Sequence, residues 1–259
     1  MLIPERQTKL RQIIASRGMS DLETLAAELG VSTSTVRRDI EAMEQEGVVK
    51  RTHGGVIWTG ERGETGLRPY AFDQRMNYQL EAKQRIARAA RKLVQPGQTV
   101  LIDGGTTTFH LARELVGEPL QLLTNSLPIA NLFLNDDNVE LILTGGLVYP
   151  RYGVLLGPMT EHILQTVHAQ LMFFSVAGVR DGSLYNQNLL LVQAEREMMR
   201  QAQQVILLVD SSKFGQQALA RLCGLREVDT VVTDAGIPED YAKAIRDSDC
   251  ELIIATDED

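Results

Sequence analysis

The stretch Ile102-Asp103-Gly104-Gly105-Thr106-Thr107-Thr108 follows directly on the apolar run Thr99-Val100-Leu101. Two glycines let backbone N–H groups approach a ligand, and a helix starting near Thr107 would turn its N-terminus toward an anion. Three hydroxyls add donors, so the motif can cradle a phosphate. It is not a nucleotide-binding Walker loop, because no GxxxxGK[ST] pattern occurs. The plainer alternative is a tight strand-to-helix turn capped by threonines, and the motif alone does not choose between the two.

Three more polar clusters stand at the ends of apolar runs. Thr124-Asn125-Ser126 follows 121–124, Thr144-Gly145-Gly146 follows 140–143, and Asp210-Ser211-Ser212-Lys213 follows 205–209. Each alone reads as a helix cap or turn. If the runs are parallel strands, all their C-terminal ends share one edge, where ligands bind. Taken together the clusters therefore predict a pocket. Lys213 would bring positive charge to it, and Arg151, in the expected loop LVYPRYG, is a second candidate cation.

A different chemistry is written in residues 32–55, STSTVRRDIEAMEQEGVVKRTHGG. Apolar Val36, Ile40 and Met43 repeat at helical spacing, which leaves Thr33, Ser34, Arg37 and Arg38 pointing outward. Ser32 can cap this helix. Before it, Leu22, Leu25, Ala26 and Leu29 form a helix that Asp21 caps and Gly30 ends. Leu10, Ile13 and Ile14 share a face of a first helix. Helix, tight turn and helix in this order can set the last helix in a DNA major groove. Arginine binds guanine bidentately, and hydroxyls or lysines grip phosphate, so Ser32, Thr33, Ser34, Thr35, Arg37 and Arg38 are candidate contacts. Gly47 should stop the helix. Val48–Arg51 and Gly55–Trp58 then form a hairpin around His53-Gly54, with Lys50 and Arg51 as a basic wing. Asp39 is an unsuitable base contact and should orient an arginine instead. The plainer alternative pairs Arg37 and Arg38 with Glu41 on a solvated face.

The elements that must hold these residues follow from patterning. Residues 59–69, TGERGETGLRP, are rich in glycine and poor in apolar side chains, which marks a linker. A helix of roughly twenty residues should follow, with Met76, Leu80, Ile86, Ala87, Ala90 and Leu93 on one side. Apolar runs at 99–102, 121–124, 140–143, 171–176, 205–209, 228–232 and 252–255 alternate with helix-like segments. That alternation predicts an α/β domain with a mostly parallel sheet. The expected division is a helix-turn-helix domain over 1–58, a linker over 59–69 and an α/β domain over 70–259.

Composition narrows the classes. The 259 residues are 44% hydrophobic and 23% charged, which suits a globular chain rather than a disordered one. The net charge of −8 lies wholly outside residues 1–57, which are neutral. An acidic body weakens indiscriminate binding to nucleic acid and leaves adhesion to a local basic surface. No apolar run approaches the ~18 residues of a membrane helix, and no secretory leader pattern opens the sequence. Two cysteines, Cys223 and Cys250, make no disulfide framework, and a reducing cytoplasm is expected. His53, His110, His162 and His168 lack metal-ligand spacing, so neither a metal nor a cofactor is expected. Asp103, Asp210 and Glu195 are the candidate bases of an alternative, enzymatic reading, without a visible acid partner. Glu195 and Glu197 read as a solvated helix face. Tyr185 and Asn186 follow the turn Asp181-Gly182-Ser183; they could line the pocket, and the plainer reading is part of a hairpin.

From Arg6 to Val56 the chain resembles the DeoR family of bacterial transcriptional regulators. The shared residues are Leu25-Ala26, Val31-Ser32, Thr35-Val36-Arg37-Arg38-Asp39, Glu44 to Gly47 and Arg51-Thr52-His53-Gly54-Gly55. The sensor domain of that family is matched by Asp103 to Thr107, Thr124 to Ser126, Thr144 to Gly146 and Asp210 to Phe214. The resemblance implies a winged helix-turn-helix repressor of carbohydrate or related metabolic genes, with His53 added to the DNA-contacting wing. It implies a Rossmann-like sensor domain similar to ribose-phosphate isomerases and sugar-phosphate deaminases, not itself an enzyme. A phosphorylated sugar or polyol bound there would release operator DNA. One recognition helix reads few bases, so a dimer or tetramer is expected. One departure stands out: Ala177 occupies a position where the family often has aspartate, which weakens any inherited isomerase chemistry.

Overall fold

The computed structural model describes residues 3–17, 19–45, 48–51, 55–58 and 71–257. The chain divides into two compact units, Met1–Asn77 and Tyr78–Asp259. The expected linker over 59–69, the helix stop at Gly47 and the turn residues His53-Gly54 lie outside the described residues.

The first unit runs α1 (Ile3–Arg17), β1 (Met19–Asp21), α2 (Leu22–Leu29), α3 (Thr33–Gln45), β2 (Val49–Arg51), β3 (Gly55–Trp58) and α4 (Ala71–Met76). Leu10 and Ile14 of α1, Leu25 and Leu29 of α2, and Val36, Ile40 and Met43 of α3 meet in one core, closed by Val48, Val49 and Val56. The Asp21 carboxylate caps α2 by accepting from Thr24 N at 2.8 Å. Gly30 ends it at φ 64°, the left-handed turn that favours glycine. Ser32 Oγ accepts from Thr35 N at 3.3 Å at the start of α3. β3 pairs antiparallel with β2, as expected, and also with β1. That third strand, Met-Ser-Asp, is too short to show a period in the sequence. It runs so close to β3 that a Cβ on Gly55 would lie 2.4 Å from the Ser20 carbonyl oxygen.

The second unit runs α5 (Leu80–Arg91), β4 (Thr99–Ile102), α6 (Thr106–Glu114), β5 (Leu120–Thr124), α7 (Leu127–Leu132), β6 (Val139–Leu143), β7 (Leu147–Tyr149), β8 (Val154–Leu156), α8 (Pro158–Leu164) and β9 (Ala169–Phe174). It continues with β10 (Gly178–Arg180), β11 (Ser183–Asn186), α9 (Leu189–Arg200), β12 (Ala202–Leu208), β13 (Ala220–Gly224), β14 (Thr230–Asp234), α10 (Glu239–Arg246) and β15 (Glu251–Ala255). The single helix expected before β4 is two helices, α4 and α5. Gln79 between them sits at φ 54°, outside the right-handed helical range, so the helix cannot run through.

The seven apolar runs of the sequence are the seven strands of one sheet, ordered β15-β14-β12-β9-β4-β5-β6. Every neighbouring pair is parallel. Successive residues face opposite sides, as strand geometry requires. Leu101, Met172 and Leu207 enter one core layer, while Val100, Leu171 and Ile206 enter the other. Both faces are therefore covered, which explains why these strands are apolar throughout. Beside this sheet, β10, β11 and β13 form a small antiparallel sheet, and β7 pairs with β8. The segment read as a loop, LVYPRYG, is instead the first strand and turn of that β7–β8 hairpin. The hairpin read around Asp181-Gly182 is present, with both turn residues at positive φ.

The β7–β8 hairpin reaches over the β4–α6 turn. Leu155 N donates to Asn125 O at 2.8 Å, and a Cβ on Gly104 would fall 2.0 Å from Val154 Cγ1. Gly104→Ala should therefore destabilise the second unit by about 1–3 kcal/mol through overpacking. Adding Val154→Ala should recover part of that loss. Urea unfolding of both variants checks this, and equal loss in the single and double variants would contradict it.

Candidate functional site

In the first unit, α3 presents Thr33, Ser34, Arg37 and Arg38 to solvent, with Thr35 half-buried. Ser32 Oγ lies 2.8 Å from Ser34 Oγ and 2.9 Å from Thr35 Oγ1, so three hydroxyls cluster at the helix start. Neither Arg37 nor Arg38 forms an ion pair among the described residues. Glu41, their expected alternative partner, is engaged by Arg51 Nη1 at 2.8 Å. Arg51 also binds Glu44, through Nε at 2.6 Å and through its backbone N at 2.9 Å. These carboxylates raise the Arg51 pKa, and they tie β2 to α3. Arg51 is thus turned onto α3 rather than outward. Asp39 does orient an arginine, but the partner is Arg6 of α1. Arg6 Nε stands 2.6 Å from Oδ2 and Nη2 3.1 Å from Oδ1, and Gln7 Nε2 lies 3.3 Å from Oδ1. This bidentate contact raises the Arg6 pKa and buries Asp39 beneath the exposed arginines.

In the second unit the parallel sheet brings the polar clusters to one edge. The β4–α6 turn carries Asp103, Gly104, Gly105, Thr106, Thr107 and Thr108. Gly105 precedes α6, and Phe109 N donates to Gly105 O at 3.1 Å. The N–H groups of the helix's first turn before it have no intrahelical acceptor. The Thr106 and Thr107 hydroxyls make no internal hydrogen bond among the described residues. Thr108 is committed inward: its Oγ1 accepts from Gly105 N at 2.9 Å and lies 2.9 Å from Asp103 O. Gly105 has no room for a side chain, because a Cβ there would lie 2.0 Å from Ser175 Oγ.

The other clusters divide between holding the fold and lining the edge. Thr124 Oγ1 donates to Ile102 O at 2.6 Å, and Ser126 Oγ accepts from Ile129 N at 3.4 Å as the cap of α7. Asn125 Nδ2 donates to Leu155 O at 3.2 Å, holding the hairpin, while its Oδ1 is buried with no hydrogen-bond partner. Gly145 and Gly146 adopt positive φ, and Thr160 Oγ1 donates to Gly145 O at 2.7 Å. A Cβ on Gly146 would come within 2.2 Å of Thr160 Oγ1, so this pair is a packed turn. Thr144 is buried beside it. Arg151 stands exposed at the hairpin tip, its guanidinium 5.9 Å from the Tyr152 ring centre.

Lys213, after the end of β12, places Nζ 5.2 Å from the centre of the Tyr78 ring. Lys83 of α5 lies 5.9 Å from the same ring and donates to the Tyr78 carbonyl oxygen. Only 2% of Lys83 is exposed. Two ammonium groups thus stand within 6 Å of one aromatic ring. Lys83 carried no sequence signal beyond an ordinary helix lysine.

Three further residues stand at this edge, of which Ser175 carried no sequence signal. Ser175 follows β9, Asn186 ends β11, and Glu195 lies on α9. Glu195 and Glu197, read as a solvated face, are both buried. Their helix packs against β13 and the β7–β8 hairpin, where Leu191 and Ala194 meet Val154 and Leu156. Glu197 is bridged by Arg200 at 2.7 Å. Glu195 accepts from Asn186 Nδ2 at 2.6 Å, and Asn186 Nδ2 lies 3.5 Å from Ser175 O. Ser175 N donates to Asp103 Oδ2 at 3.4 Å. Burial first, and then the charge of Asp103, push the Glu195 carboxyl up to about 8. Two of the three candidate bases are therefore electrostatic neighbours. The third, Asp210, is buried and accepts from Ser212 N at 3.2 Å. His110 is buried on α6, edge-on to Phe109. Among the described residues no His, Cys, Asp and Glu cluster suits a metal ion, and no helix is long and apolar enough to cross a membrane.

Both units match family models. Residues 6–61 match the DeoR-like helix-turn-helix domain, and residues 78–235 match the DeoR C terminal sensor domain. The "Putative aga operon transcriptional repressor" of Escherichia coli O157:H7 is 30% identical over 254 residues, covering 96% of this chain and 93% of the relative. The "L-fucose operon activator" of Haemophilus influenzae is 28% identical over 250 residues, covering 96% and 99%. The solved ribose 5-phosphate isomerase of Methanocaldococcus jannaschii aligns at a TM-score of 0.40 and 18% identity, over 52% of this chain and 54% of that one.

Glu195 makes stability depend on pH in a defined direction. Unfolded, the carboxyl ionises near its ordinary 4.5; folded, near about 8. The folded chain then holds a proton that the unfolded chain has lost, so stability falls as pH rises between those values. Glu195→Gln removes the titration. Its melting temperature should draw ahead of the parent's from pH 5 to pH 8 and then hold a constant lead. Thermal scans across that range check this, and a lead independent of pH would contradict it.

Proposed function

Because the chain belongs to the DeoR family of DNA-binding transcriptional regulators, we propose that it is a repressor of genes for carbohydrate or related metabolism. A phosphorylated sugar or polyol in the second unit releases it from operator DNA. The observation that carries the effector class is the edge built by the free first turn of α6 and by Lys83 and Lys213 over Tyr78. Unpaired N–H groups at a helix start favour an anion, and ammonium groups supply charge-assisted donors to a phosphate. Thr106 and Thr107 add hydroxyl donors. Thr108, Thr124, Ser126 and Gly146 serve the fold instead, since their polar groups or space are already taken.

On the DNA side, Arg37 and Arg38 read base edges, and Thr33, Ser34 and Thr35 set the helix against phosphates. Asp39 positions that surface through Arg6. Lys50 and His53 belong to the wing, while Arg51 braces it. The chain acts as a dimer or tetramer in the cytoplasm, with paired heads on paired half-sites. Effector binding shifts the balance between protomer arrangements that do and do not fit that spacing.

Two measurements test this. Anisotropy titration with the chain's own promoter DNA should show a preference over random DNA. Arg37→Ala should cost ~1–3 kcal/mol on the operator and relax specificity, whereas Lys50→Ala should weaken all sequences alike. Parallel losses for both variants on both DNAs would count against the base-reading role. In a thermal-shift screen, a phosphorylated sugar or polyol should raise the melting temperature of the parent. Lys83→Met and Thr106→Val should abolish that shift while leaving operator affinity unchanged. A shift that survives in both variants would place the effector elsewhere.

A further inference from the structure

Glu195 is a buried carboxyl to which neither the DNA-binding reading nor the phosphate cradle gives a role. Its surroundings fix which oxygen carries which hydrogen-bonding role. The Ala177 N–H donates to Asn186 Oδ1 at 2.9 Å, and a backbone N–H can only donate. Asn186 therefore turns Nδ2 toward Glu195, and Nδ2 can only donate, at 2.6 Å to Oε1. Oε1 is the acceptor, and a proton on this carboxyl resides on Oε2. Oε2 is buried and has no hydrogen-bond partner.

Among the described residues no cation pairs with the carboxyl. Asp103 faces it from the β4–α6 turn, and Cys223 faces it from β13 with its thiol pushed up to about 12 by burial. Arg196, on the same helix, is spent on the carbonyl oxygens of Arg221 and Leu222. The Arg221 Nε donates to Ser183 Oγ, and Glu161 of α8 accepts from Gln193. Tyr185 on β11 and His162 on α8 are the other ionisable groups of the elements packed on α9. A carboxyl buried beside another carboxyl, without a cation, stays in the neutral form. A neutral carboxylic acid is a donor, as a carboxylate is not.

We propose that Glu195 recognises the uncharged end of the effector, donating Oε2–H to a hydroxyl or carbonyl oxygen. The preferred ligand is then a phosphorylated sugar or alditol and not a phosphorylated sugar acid. This rests on the phosphate-sensing reading given above. The site is polar in a chemical sense: cations and free N–H groups serve the phosphate, and an acid pair serves the far end. A ligand carboxylate at that far end would meet the Asp103 charge. Raising the pH until Glu195 ionises would replace the donor by a second repelling anion.

The test is calorimetric titration of the full chain with inorganic phosphate, with an alditol phosphate series from tetritol to hexitol, and with 6-phosphogluconate. At about pH 6.5 the best alditol phosphate should bind about tenfold more tightly than either inorganic phosphate or 6-phosphogluconate. That advantage should shrink toward about pH 9. Glu195→Gln keeps a donor and cannot ionise, so it should hold the advantage at both pH values. Glu195→Ala should lose it while still binding inorganic phosphate as the parent does. An infrared band of a protonated carboxyl, present in the parent at neutral pH and absent in Glu195→Gln, should accompany this. Equal or tighter binding of 6-phosphogluconate, an alditol series no better than inorganic phosphate, or absence of that band would each overturn the proposal. Failure of inorganic phosphate to bind, with the band and an alditol preference intact, would instead count against the phosphate cradle alone.

Discussion

The parallel direction of seven strands is the constraint on which the second unit depends. A parallel sheet must return each strand through a connection, so every strand ends at the same edge and every following turn opens there. Asp103, Asn125, Thr144, Ser175 and Asp210 are far apart in sequence and meet because β4, β5, β6, β9 and β12 point the same way. The apolar layers on both faces leave that edge as the place where unsatisfied polar groups can gather. Chemistry at this site is thus a consequence of topology before it is a property of any motif.

Topology also explains why polar residues at the edge do unlike work. Some close the turns that let strand pass to helix: Thr108 folds back on Asp103, Thr124 on Ile102, and Ser126 caps α7. Such bonds use the hydroxyl and leave little for a ligand. Others remain available because their backbone sits in a helix's first turn, where donors exceed acceptors. The β7–β8 hairpin then lies over the glycine turn and anchors α9, which is how a glutamate from a distant helix joins Asp103.

Much of this was legible in the sequence, and the gaps have physical causes. All seven sheet strands appear as apolar runs, since strands buried on both faces need continuous hydrophobicity. The three head helices appear through their period and their caps. The three-residue strands β1, β7 and β8 give too few residues to establish a period of two. The break at Gln79 has no glycine or proline to announce it. Glu195 and Glu197 misled for a different reason. A charged pair two positions apart normally marks solvent, and only tertiary packing against β13 and the hairpin puts both inside. Lys83 is the same case, a helix lysine whose burial depends on Tyr78.

The head poses an electrostatic problem that its packing solves. A DNA-reading surface needs free arginines, yet the unit as a whole is neutral and holds carboxylates on the same helix. Left to local pairing, Glu41 sits one turn from Arg37 and Arg38 and would quench them. Instead Arg51 from the wing occupies Glu41 and Glu44, and Arg6 from the first helix occupies Asp39. The acidic side chains of α3 are thereby consumed by arginines that brace the fold. Arg37 and Arg38 are left exposed on α3 without an ion pair among the described residues.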